Sequence, residues 1–503
     1  MSSRYAGLLG AACLLLLLLP VRAGAADSDR QVVHVLNRLA FGPTLDDFNY
    51  VKRIGVERYI AEQLDPAAID EPIELRYRLA ELPTLDLHAE ELRELYGPLR
   101  PVLGLKPSLD EIRDQQGRAR LVVREAQEAR LLRAVLSRRQ LQQVMVNFWF
   151  NHFNIFSEKG LDRVWIGNYE EQAIRPHALG RFRDLLFAVA EHPAMLVYLD
   201  NTENAAPGSP GARGGASGLN ENFAREVMEL HTIGVDGGYT QDDVATLARV
   251  FTGWRVNPPD SQKFPGVAAI FDAMRHDDSP KVFLGQKLRA RGKAEGEEAL
   301  DILAGSPATA HHIAYELVQY FVADAPPPAL VDRLAARFLA TGGDIRKVLK
   351  TLFDSAEFSD SVGQKYKTPY EYVISAVRAA GVPINNSRPL IGWMSRFGMP
   401  LYGCETPDGY KNTQEAWLSP QATIQRISFA IGFARGGVPI SAEPVGDEDG
   451  AMLPPQRPAP VDAARLEEIF GATLSGSTDA AIAAAPAGLR AAMILGSPDF
   501  MRR

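Results

Sequence analysis

Apolar residues recur along most of this chain at steps of three and four. Val32, Val35, Leu36 and Leu39 set the pattern in the stretch 32–64, and it returns over 131–150 and 300–321. Such spacing gathers apolar side chains on one face of an α-helix. Boundary residues agree with it. Ser306-Pro307 reads as an N-cap followed by proline at the first helical position, and Thr240 with Asp243 three residues on reads as a capping box opening a helix through Phe251. No stretch alternates apolar and polar residues as a half-buried strand would. The pattern predicts a mainly α protein, a multi-helical globular array. At most a small β-hairpin is expected, over 264–284, where glycine, proline and β-branched residues mix.

Two stretches break the helical texture: 201–218 is rich in Gly, Pro, Ala and Ser, and 435–461 is rich in Pro, Gly and acids. The first reads either as a surface insertion or as a lid, since motif-dense segments flank it. The second reads as a linker. At the N-terminus, Arg4, the almost wholly apolar run 6–21 and Ala23-Gly24-Ala25 form the three parts of a Sec signal peptide. The run is too short and too interrupted to span a membrane. Cys13 precedes the leucine run rather than following it, so a lipid anchor is not expected. The predicted organisation is a signal peptide over 1–25, a helical body over 26–436, a linker over 437–461 and a short C-terminal helical segment over 462–503. Periplasmic or secreted localisation follows from the leader.

Without its leader the chain keeps one cysteine, Cys404, so stability must come from packing rather than an internal disulfide. A content of 46% hydrophobic and 23% charged residues is ordinary for a globular protein that buries a core. Losing Arg4 and Arg22 takes the formal charge from −8 to −10, which argues against nucleic acid or an anionic membrane as the main partner. No other stretch is long enough to span a membrane.

The densest polar cluster is 218–232. Read as a helix, it places Phe223, Val227 and Leu230 on a buried stripe and Asn222, Glu226 and Glu229 on an acidic, amide-lined face. Glu221 and Arg225, four apart, suit a surface ion pair as well as a site. Glu226 is the stronger catalytic candidate, and His231 fits either a ligand or a core histidine in the last helical turn. A second cluster, 147–154, embeds Asn147, Asn151, His152 and Asn154 among aromatics, where polar groups need partners. His152 suits a metal ligand or a general base as well as a buried histidine. His192 precedes Pro193 at a predicted helix start, and His34 and Arg38 project together from the first helix.

Zincin, nucleophile-elbow, P-loop and dinucleotide signatures are all missing, which weighs against those chemistries. The remaining His, Glu, Asp and Asn suit a nitrogen–oxygen metal site or paired carboxylates acting on a glycosidic bond.

The blocks 34–44, 220–226, 229–235, 237–244 and 252–254 resemble the bacterial domain of unknown function family 1800, as do His276-Asp277, Lys281, Leu284-Gly285, Asp408-Gly409-Tyr410 and Trp417. The resemblance extends over about 32–436. It implies an exported helical protein, often encoded beside a sulfatase-like family, and it brings no established catalytic residues.

Two functions are carried forward. One is a secreted hydrolase acting on an envelope or extracellular ester or glycoside. There His152, His192, His231 and Asp242 would hold a divalent metal ion as candidate cofactor, Glu226 would join them or the catalytic set, and Glu221 or His34 would move the proton. The other is a non-catalytic envelope or assembly factor that binds a sulfatase-like exported partner or a surface glycan. Convergence of three imidazole or carboxylate groups favours the first. Separate satisfaction of each histidine by backbone favours the second.

Overall fold

A computed structural model describes residues 28–99, 107–212, 218–258, 266–289, 291–442 and 459–503. The stretch 1–25 expected to be a signal peptide and most of the expected 437–461 linker lie outside the described residues. Within them, 24 α-helices form the architecture that the spacing predicts. Helix starts carry the expected chemistry. Ser28, Thr44, Ser108, Thr240 and Thr368 each close a capping box, contributing about 1 kcal/mol per cap.

Strands among the described residues form two antiparallel ribbons: Trp254–Val256 with Ala269–Phe271, and Val282–Phe283 with Gln286–Lys287. The single hairpin expected over 264–284 is therefore split. Only the second ribbon is a tight hairpin, and it turns on Leu284 (φ 46°) and Gly285 (φ 74°), the doubly left-handed geometry that matches strand twist.

The core is built around helix Gln140–His152, in which Leu141, Met145 and Trp149 are fully buried. Helix Leu109–Leu136 packs on helix Asp162–Tyr169 through Gly167, where a Cβ would stand 2.9 Å from that of Ala126. Helix Asp162–Tyr169 then widens into a five-residue π-helix, Glu170–Ile174. This segment turns Glu170 and Glu171 toward three arginines. Arg175 lies 2.7 Å from Glu170, Arg130 lies 3.3 Å from it, and Arg133 lies 2.5 Å from Glu171.

The last 40-odd residues share this core. Helix Ala463–Phe470 packs on Asp29–Leu39 and Pro369–Ala380, and Ala487–Leu495 packs on Pro420–Ala434. The Tyr372 hydroxyl donates to the carbonyl of Leu495 at 3.0 Å, and Arg503 pairs with buried Glu371 at 2.9 Å. No helix among the described residues is long and apolar enough to cross a membrane.

Candidate functional site

Helix Gln140–His152 is buried on nearly every face, so its last turn delivers Asn151 and His152 toward the interior rather than to solvent. There a cleft of about 190 Å³ opens between that turn, helix Pro307–Phe321 and the 399–412 loop. His152 Nδ1 lies 2.6 Å from Glu316 Oε2, and its Nε2 faces the carbonyl of His231 at 3.2 Å. That carbonyl can only accept, so Nε2 carries a proton and donates. The contact between Nδ1 and Oε2 then also needs a proton between its two atoms. His152 and Glu316 are thus a proton-sharing pair.

Burial works against the Glu316 charge, but His152, its hydrogen bond, His312 and Lys411 outweigh burial and hold the carboxyl below its ordinary range. The Glu316 side chain is 29% exposed, and its second oxygen stands 3.6 Å from His312 Nε2. Burial and the neighbouring His152 lower the pKa of His312, although Glu316 pulls the other way. An ionised carboxylate therefore meets the cleft, oriented from behind by one imidazole and flanked by a second.

Arg130 forms one wall. It donates to Asn147 at 2.8 Å and is stacked within 4.8 Å of the Phe150 ring and 5.1 Å of the Tyr402 ring. Tyr402 in turn donates to Glu170 at 2.9 Å, which ties the cleft wall to the π-helix. The opposite wall is a loop stapled by two amides. Asn154 donates to the carbonyls of Cys404 (3.0 Å) and Thr406 (2.9 Å), and Asn151 exchanges bonds with the backbone of Tyr410 at 2.9 and 2.8 Å. Gly409 sits between them at φ 64°, where a Cβ would fall 2.3 Å from the carbonyl oxygen of Asn151. Gly409→Ala is expected to cost about 1–3 kcal/mol and to loosen this wall, read as a lower thermal midpoint. An unchanged midpoint would show that the staple does not constrain the loop.

The candidates drawn from sequence are scattered by the fold. His152 and His231 come together, with ring centroids 6.1 Å apart. His231 is fully buried just past the end of helix Asn222–Glu229, not in its last turn, and burial drives its pKa well down. His192 caps helix Pro193–Tyr198, accepting from Ala194 N at 3.2 Å while its Nε2 lies 3.0 Å from Asn168 Oδ1. Asp242 is exposed in the first turn of helix Gln241–Val250. The four proposed metal ligands therefore do not converge, and among the described residues no group of three or more His, Cys, Asp or Glu side chains is arranged to hold a metal ion.

Of the three catalytic candidates, Glu221 is committed to Arg225 (3.2 Å) and Gln241 (2.6 Å) at the surface. His34 contacts the carbonyl of Phe358 at 2.9 Å and lines a different cavity. Glu226 is half-buried. Its pKa is raised by burial first, then by Glu229 and by Asp408 at the cleft, so it stands next to the cleft without lining it. The described part of 201–218 is tied through Ala206 and Gly211 to the backbone of Arg275 and Met274, and none of it lines the cleft.

Glu316, His312 and Arg130 were not singled out by sequence reasoning. The signal for the first two was present: His312 and Glu316 are four apart on a helix whose buried stripe includes Ile313, Leu317 and Val318, so both lie off that stripe on the same side.

The fold and the site define a class: an all-α protein with a polar, titratable cleft sunk into one helical core. The chain belongs to the family of proteins of unknown function DUF1800, whose model matches residues 34–502. That match runs well past Gly436, in keeping with the C-terminal helices being part of the common core. Comparison with the curated proteins and with the solved structures finds no match to this chain.

Proposed function

We propose that this protein is an exported hydrolase that cleaves a glycoside or ester by general acid–base chemistry, with Glu316 as the base and His152 as the residue that positions and charges it. The observation carrying this reading is the 2.6 Å pairing of His152 with Glu316 in a cleft sunk into the helical core. In it, the free oxygen of Glu316 takes a proton from water as the water oxygen bonds to the substrate carbon; the C–O bond to the leaving group then breaks, and the departing oxygen takes that proton from Glu316, which is carboxylate again beside His152. Asp408 and Lys411 form an ion pair 2.6 Å long beside the cleft and supply polar groups for orienting the substrate. Export rests on the leader alone.

A panel of glycoside and ester substrates, run with wild type, Glu316→Gln and His152→Asn, tests the reading. Both variants are expected to lose about 10²–10⁴ in turnover with circular dichroism unchanged. Turnover that survives Glu316→Gln would sink it.

A second reading is a non-catalytic factor that binds a surface glycan or a sulfatase-like partner. It is favoured by the way Asn151, Asn154 and His192 are each satisfied inside the protein, as structural polar groups are. Saturable glycan binding without turnover of any panel substrate would select it.

A further inference from the structure

A separate cluster of charge lies where the first helix meets the C-terminal segment. Arg38, Lys367 and Arg426 are all buried, and among the described residues none of them forms an ion pair. Arg38 donates to the carbonyl of Ser361 (2.7 Å), Lys367 to the Ser375 hydroxyl (2.9 Å), and Arg426 to the carbonyl of Lys367 (2.7 Å). The neighbouring buried carboxylate, Glu371, is taken by Arg503, and Asp324 is taken by Lys365. Arg426 lies over the rings of Tyr366 and Tyr372, and Lys367 over that of Phe500 at 4.1 Å. Burial still lowers the pKa of Lys367 to about 7 against the pull of Glu371, so an anion beside it would hold it charged.

Next to Lys367 the structure has room for it. A cavity of about 230 Å³ is lined by Arg30, Lys367, Arg502 and Arg503, with His34 and Asn37 alongside. Its one acidic lining residue among the described residues, Asp499, accepts from the backbone and hydroxyl of Ser475 at 3.0 and 2.9 Å and also attracts Arg502. Among the described residues Arg30 and Arg502 also form no ion pair, so two guanidinium-bearing side chains line the space together with Lys367. Arg503 Nε and Arg38 Nε and Nη1 have no hydrogen-bond partner, which leaves unused donors at and behind the wall. The volume is several times that of one water, about 30 Å³.

We infer that this cavity is a binding site for a tetrahedral oxyanion, phosphate or the phosphoryl group of a small monoester, held by Arg30, Arg502 and Lys367. Planar guanidinium groups match such oxygens two at a time, and the Lys367 ammonium adds a point charge behind them. The site is distinct from the Glu316 cleft and does not depend on the hydrolase reading.

Titration of the purified full chain with inorganic phosphate and with glycerol 3-phosphate, at constant ionic strength against chloride, tests it by calorimetry and thermal shift. Saturable binding with a rising midpoint is expected, about tenfold weaker in Arg502→Gln and lost in the Arg30→Gln/Arg502→Gln double variant. Glu316→Gln should bind as wild type does. Tighter binding of glycerol 3-phosphate identifies the monoester as the natural source, and tighter binding of phosphate identifies the free ion. Both rim residues lie outside the core, so the double variant keeps the test readable if Lys367→Met fails to fold. A phosphate response no larger than that to chloride, or wild-type affinity in the double variant, overturns the inference.

Discussion

Lowering the pH from about 7 to about 5 is expected to cost this protein ~4 kcal/mol of stability through two histidines alone. Burial takes the pKa of His34 and of His192 from the ordinary 6.5 down to about 3. For His34 the neighbouring Arg38 adds to that effect. Both rings are therefore neutral in the folded protein across this range, whereas in the unfolded chain they take up protons below 6.5. Their contribution is whole above that value and shrinks by about 1.4 kcal/mol per histidine for each unit of pH below it, until the folded value is reached. His231 is lowered in the same direction and steepens the loss. The depressed carboxyl of Glu316 acts in a lower window, since a carboxylate's stabilisation fades only below its unfolded pKa of 4.5. Urea unfolding at the two pH values measures the effect. Stability that is equal at both would mean that these rings are not buried neutral.

Glu170→Ala is expected to destabilise the fold by about 3–5 kcal/mol, the range for removing one partner from a buried ion pair. Glu170 is buried and accepts from Arg175 at 2.7 Å and from the Tyr402 hydroxyl at 2.9 Å, with Arg130 at 3.3 Å. Alanine leaves Arg130 charged and buried with no other carboxylate, whereas Arg175 keeps Glu171 at 3.2 Å. Glu170→Gln should cost less, because it keeps the volume and an acceptor for Tyr402. Chemical denaturation of both variants decides it. An alanine variant within ~0.5 kcal/mol of wild type would show that water reaches Arg130 and replaces the carboxylate.

The helical architecture was legible because it depends on local pattern. Spacing and caps are written within a few residues, and the Thr240 and Ser306 starts fall where their side chains demand. The site was half legible. His152 stood out as a polar residue among aromatics, and Asp408-Gly409-Tyr410 stood out as a motif. Glu316 did not: its spacing from His312 was there to see, but its partner His152 lies 164 residues away and no local spacing encodes that contact. The metal set failed for the same reason. His192, before Pro193, is used as a helix cap, and only His152, set among aromatics, reaches the cleft.

The π-helix Glu170–Ile174 fixes how many residues the chain can hold at that point. Removing one would restore ordinary α pitch and swing everything downstream by about 100°. Arg175 would leave Glu170, and Ala178 would leave Trp149, whose indole donates to its carbonyl at 3.0 Å. Length variation among sequences of this fold should therefore gather in 201–218 and avoid these five positions, making a gap-free 170–174 a criterion for aligning them.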